Sequence, residues 1–229
     1  MAEIKAPPQI HALKTPRAAG VAGILFALLF AASIILTRLA VPEDLTAERG
    51  WFTERRQYIT IVLTLMPFAG IAFLWFVGVI RDLLGEYEDR FFSSIYIGSS
   101  LLFIAMVFVA TALGSALVAS FDFDKTRAVD LNMDVIVFSR AVMLQISNVY
   151  AVRMAGVFMT SLGVVWFKTR LVPRWLTYIT FALALTLLVV ISFSLWVTLV
   201  VPAWTLLVSL YILLTDYRQT VKKVQPKVT

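Results

Sequence analysis

In one stretch of this 229-residue chain, polar side chains interrupt an otherwise apolar block: Ser139, Arg140, Gln145, Ser147, Asn148, Tyr150 and Arg153. A guanidinium among amide and hydroxyl groups could receive an anion or a polar solute. On a helix, Arg153, Gly156 and Thr160 stand at i, i+3 and i+7, so the cation shares a face with one small and one hydroxylated residue. The candidate polar site is therefore Arg153, Asn148, Tyr150, Gln145 and Thr160, on a face expected to look into a helix bundle.

A second reading competes with it. The clean apolar stretch Met154 to Phe167 is only 14 residues, too short for the roughly 20 needed to cross a bilayer. The spanning part of that helix must then begin near Asn148, which places Arg153 inside the helix, about six residues from that end. Side chains lean toward a helix's N-terminus, so the guanidinium would snorkel outward to lipid phosphate or to loop carboxylates such as Asp130 and Asp134. An arginine at a helix centre costs about 2.5–3.5 kcal/mol on insertion scales. The spacing favours the snorkelling geometry over a functional anion site.

Other chemistry is largely excluded. There is no Cys, and the single His is His11 in the polar N-terminal stretch, so thiolate chemistry, bis-histidine haem and a Ser-His-Asp triad within the membrane are absent. All 14 Asp and Glu residues fall in loops, tails or helix ends, which weighs against a proton-coupled carrier. Asp122, Asp124, Asp130 and Asp134 could offer oxygens to a divalent cation. Lys125 and Arg127 lie among them without an EF-hand pattern, so they read as a solvated loop. Neither a P-loop nor a dinucleotide fingerprint occurs. No catalytic constellation, metal site or cofactor is expected.

The elements that must position these residues follow from composition. Hydrophobic residues make up 60% and charged residues 15%, against about 45–50% and about 25% in soluble domains. The net charge of +6 and pI near 9.7 imply no nucleic acid, because the 20 Lys and Arg flank apolar blocks rather than lining one face. The expected fold is an all-α membrane protein, a six-helix transmembrane bundle with helices at about 18–37, 59–80, 91–121, 135–167, 174–196 and 200–217. Residues 1–17 form a disordered tail, 18–217 a single transmembrane domain and 218–229 a basic tail.

The first apolar run, Ala18 to Thr37, is too long for a signal sequence and is expected to remain. The 31 uncharged residues Phe91 to Phe121 should tilt or project beyond the lipid. The 41 uncharged residues Trp175 to Thr215 must cross twice, with a turn between Ser192 and Pro202 flanked by Trp196 and Trp204 as an interfacial aromatic belt. With the N-terminus inside, connections on that side hold 12 Lys and Arg against six on the other. Both termini are therefore expected in the cytoplasm.

Small residues at Ala19, Gly23, Ala27 and Ala31 form a ridge that should pack against the second or third helix. The pairs Ser94 with Gly98, Ala110 with Gly114 and Thr111 with Ser115 are read likewise. No internal repeat is visible.

Two stretches, EYEDRFFSSIYIGSSLLFIAMVF (Glu86 to Phe108) and NVYAVRMAGVFMTSLGVVWFKTRLVPRWLTY (Asn148 to Tyr178), cover about a quarter of the chain. They resemble uncharacterised small multi-spanning membrane proteins of bacteria, in particular actinobacteria. The resemblance implies a bacterial plasma (inner) membrane and a multi-pass topology, and it carries no activity or site residue.

Three function classes remain. The foremost is a non-enzymatic accessory, assembly or lipid-contacting component, whose partners are membrane lipids and a membrane protein or a second copy of itself. Next comes a small transporter or channel for a polar or anionic solute, using the polar face of the fourth helix. Last is an intramembrane enzyme built on Tyr150, Ser147 and Arg153.

Overall fold

The computed structural model describes residues 15–40, 51–85, 90–123, 133–190 and 195–224. They form an all-α protein of six helices, with no strand among the described residues. These are α1 (Thr15–Ala40), α2 (Trp51–Leu84), α3 (Arg90–Phe123), α4, α5 (Arg174–Val189) and α6 (Val200–Val224). Helix α4 runs unbroken through three segments, Met133–Leu144, Gln145–Ala151 and Val152–Thr169, of which the middle one is π-helical. Four helices, α1 to α4, are long and apolar enough to cross a membrane, while α5 and α6 contribute shorter apolar stretches, Arg174–Val189 and Val200–Thr215.

Apolar runs mark where lipid is met, and helices continue past them. Helix α2 starts at Trp51 and carries Arg55 and Arg56 in its opening turns, well before the apolar block from Ile59. An Arg55 guanidinium Nη1 donates to the Leu39 carbonyl at 3.4 Å, setting a cation against the end of α1. Helix α4 likewise starts at Met133. Asn148 and Arg153 therefore sit inside a continuous helix that starts two residues before the expected 135.

Chain reversal between α4 and α5 is local chemistry. Arg170 takes the left-handed conformation at φ 56° and donates its N–H to the Trp166 carbonyl at 2.9 Å. Pro173 is extended and begins the next helix. Helix α5 ends at Val189, seven residues before the expected 196; Val190 is extended at ψ 115°, and helix is found again in the single turn Leu195–Thr198, the residues between, 191–194, lying outside those described. Pro202 does not make this break. It lies in the first turn of α6, where its missing N–H has no helical partner to lose.

Consecutive helices are neighbours in space. Helix α1 packs on α2 and α6, α2 on α3, α3 on α4 and α4 on α5, while α5 and α6 touch only lightly. The outside of this ring is apolar: Trp75, Phe138, Val189 and Phe91 are each about two-thirds exposed, a surface suited to lipid. The small-residue ridge of α1 is intramolecular, as expected, but it meets α6 as well as α2. A methyl on Gly23 would collide with the Ser209 hydroxyl and the Phe76 ring, and one on Gly20 with Leu213. In α3, Gly114 closes on Met143 of α4, whereas Gly98 has open space around it and Ser94 is exposed. Only the Ala110 and Gly114 end of α3 is therefore a close contact.

The centre of the ring is filled with aromatic side chains. A line of ring contacts runs Phe30, Phe103, Phe73, Phe158, Trp204, Trp166, with successive centroids 5.9, 5.2, 5.7, 5.7 and 6.1 Å apart. Trp204 is 1% exposed and its indole N–H donates to the Thr180 hydroxyl at 2.9 Å. The expected place for Trp204 in an interfacial belt is thus corrected, since it is a core residue joining α6 to α5 and α4. Because lipid is as apolar as the core, such packing and hydrogen bonds, rather than hydrophobic transfer, hold the helices together. Aromatic pairs of this geometry contribute about 0.5–1.5 kcal/mol each.

Candidate functional site

The π-helical turn coincides with the polar run. Gln145 to Ala151 take the wider helix, and the Val152 N–H donates to Ser147, five residues back. The wider turn puts the backbone ladder out of step with the flanking α-helical segments at the point where Asn148 is buried at 3% exposure.

Beside it the ring is incompletely filled. A cavity of about 120 Å³ lies among α1, α2, α3, α4 and the start of α6. Its walls are mostly apolar, Phe30, Ile34, Met66, Phe103, Val107 and Val201 among them. The polar groups are Ser147 and Asn148 of the π turn with Thr37, Thr111 and Thr198. Two of these hydroxyls have their protons engaged: Thr37 donates to the Ser33 carbonyl at 2.7 Å and Thr111 to the Val107 carbonyl at 2.8 Å. Those two face the cavity as acceptors, which suits a guest that brings donors. Pro67, one residue beyond the lining Met66, leaves the Leu63 carbonyl of α2 without its helical N–H. Two of the long helices flanking the cavity, α2 and α4, thus carry an interrupted backbone ladder there. Among the described residues, no ionisable side chain lines the space.

The structure divides the five residues singled out from sequence. Asn148 lines the cavity. Gln145 and Tyr150 are exposed on the outside of α4. Arg153 is half-buried, and its guanidinium Nη1 donates to the Val149 carbonyl of its own helix at 2.8 Å, leaning toward the helix start. Thr160 is half-buried, with its hydroxyl on the Gly156 carbonyl at 2.8 Å. Gly156 between them packs against Leu188 and the Ala184 carbonyl of α5, so the shared face of Arg153, Gly156 and Thr160 is turned toward α5, away from the cavity. Asp130 and Asp134 have no described side chains.

Sequence reasoning missed Thr37, Thr111 and Thr198, which come from three other helices. A single hydroxyl that can satisfy itself on its own helix leaves no pattern. Among the described residues no group of three or more His, Cys, Asp or Glu could hold a metal ion; the acidic loop 122–134 lies outside the described side chains. No protein-family model, curated protein or solved structure matches this chain. What the site can do must be argued from its geometry: it can hold a guest and offer it hydrogen-bond acceptors, and among the described residues it shows no general acid, base or nucleophile with an activating partner.

Proposed function

We propose that this chain is a multi-pass protein of the plasma membrane, both termini cytoplasmic, that acts without catalysis by holding an uncharged amphipathic molecule, lipid-like in its body and hydrogen-donating at one end. One observation carries the reading: an apolar cavity with a few polar groups, two of them on the interrupted turn of α4, and with no charged side chain among the described residues that line it. Such sites fix orientation through a small number of polar contacts within an apolar wall. An ionised guest would be left without a counter-charge.

The test is extraction. The full chain, purified in nanodiscs, should release a stoichiometric neutral amphiphile into organic solvent, seen by mass spectrometry. Ala151→Phe, which fills the cavity from α4, should release none while remaining folded. No neutral species above the level of bulk lipid would defeat the proposal. Orientation is tested separately, because the chain has no native Cys. Thr46→Cys and Ala128→Cys should react with an impermeant maleimide on intact cells, whereas Gly85→Cys, Thr169→Cys and Thr220→Cys should not.

A second reading, transport of a small polar solute, is favoured by one observation. A second cavity, walled in part by Trp166, lies at the far end of the aromatic line that begins at the first cavity's wall. In this conformation the rings close the route between them, so transport would require them to part.

A further inference from the structure

The second cavity, about 190 Å³, opens at the end of the bundle where α2, α4 and α6 meet the connection between α4 and α5. Ile80 and Leu84 come from α2, Leu171 and Val172 from the connection, and Tyr211 and Ile212 from α6. We infer that this cavity holds an acyl chain of an anionic phospholipid whose phosphate is bound by Arg170 and Arg174.

Three observations support that occupant over any other. The walls are apolar, with Tyr211 and Thr215 as the polar exceptions, which suits a hydrocarbon chain entered from the side of the bundle. The apolar wall segment is bracketed by cations: Arg170 precedes Leu171 and Arg174 follows Pro173, and both arginines are exposed. The left-handed turn at Arg170 and the extended Pro173 fix this bracket as a short connection rather than a loose loop. Planar guanidinium forks match phosphate oxygens two at a time.

Charge is also distributed toward this end: among the described side chains, Arg81, Lys168, Arg170 and Arg174 stand against Asp82, and all five are exposed. A surface of net positive charge beside an apolar opening complements an anionic headgroup and its chain together. Lys168 stands 4.6 Å above the Phe92 ring, so a further cation is positioned by α3 at the same end.

The full chain should be reconstituted in nanodiscs of equimolar phosphatidylglycerol and phosphatidylcholine, then released into mild detergent and weighed intact. At least one phosphatidylglycerol should remain bound, in preference to phosphatidylcholine. The double substitution Arg170→Asn with Arg174→Gln should lower that retention by about tenfold or more; Asn is chosen at 170 because it tolerates the left-handed conformation. Ile212→Phe, which fills the cavity without changing charge, should lower it as well, with Thr215→Phe as the second filling variant if the first does not fold. Equal retention of the two lipids, or retention indifferent to the double substitution, overturns the proposal. Loss with the charge variant but none with either filling variant also overturns it, because the lipid would then sit on the surface alone. A neutral guest in the first cavity is read separately, so either result leaves the other standing.

Discussion

Where α1 meets α6 and α2, the bundle is closed so tightly that Gly23 has no room for a methyl between Ser209 and Phe76. Where α1 and α2 face α4, it leaves about 120 Å³. The two regions lie on the same helix, with Gly23 and Phe30 two turns apart. The close contact is made by regular helix and small residues, the open one by a π turn and a proline-interrupted neighbour. Protein interiors seldom leave such space without a reason, and helices that rely on close packing in lipid lose cohesion wherever they leave it. The contrast therefore sets the proposed site on the loosely packed, polar side of the bundle and the closest packing on the other.

The largest effect should come from breaking the tight side. Gly23→Leu forces α1 away from both partners, and overpacking of this kind costs about 1–3 kcal/mol or more. The yield of monodisperse protein and its unfolding midpoint in mixed micelles should fall sharply. The same substitution at Gly78, which has open space around it, should leave both near the parent value.

Next is the polar tie across the weak seam between α5 and α6. Trp204→Phe keeps a ring against Phe158 but removes the donor to Thr180. Its coupling with Thr180→Val in a double-mutant cycle should be about 0.6 kcal/mol, and no more than about 1.7, as for other interhelical hydrogen bonds in membranes. Additive effects would mean that the bond contributes nothing.

On the open side the effect should fall on the guest. Asn148→Leu should leave the protein folded, while retention of the extracted amphiphile should fall by up to about tenfold, the weight of one hydrogen bond. A variant that lost stability and kept its guest would place Asn148 in the scaffold instead.

The smallest effect is expected at Arg153, whose guanidinium lies along its own helix. Arg153→Lys should match the parent, and Arg153→Leu should insert at least as well, both judged by membrane yield. If both variants insert normally yet shed the bound amphiphile, the site includes Arg153 and the division between the two faces of α4 is wrong.

How far this was legible in the sequence follows from what each feature needs. Helix number came from long apolar runs, which lipid imposes directly. Where each helix ends was less visible, because residues such as Arg55 and Arg56 continue a helix in water and nothing in the run marks that. The end of α5 at Val189 came seven residues before the expected 196, because nothing in the apolar run marks it, and Pro202 is no marker either, since a proline in a first turn is compatible with helix. Trp204 read as interfacial because a Trp near a turn has that character, but its indole found Thr180 within the core. The polar run of α4 was plain, but its π geometry was not: widening the helix by one residue per turn has no composition of its own. The cavity was least accessible, since Thr37, Thr111 and Thr198 come together only when α1, α3 and the start of α6 are packed.

The most direct measurement of the central claim is a map of the full chain in lipid nanodiscs by electron cryomicroscopy, fine enough to show side chains around Asn148. The account predicts elongated, non-protein density between α1, α2 and α4, with one end against Asn148 and Ser147 and no cation or carboxylate beside it. A cavity filled by repacked side chains, or one holding only water continuous with bulk, would contradict it.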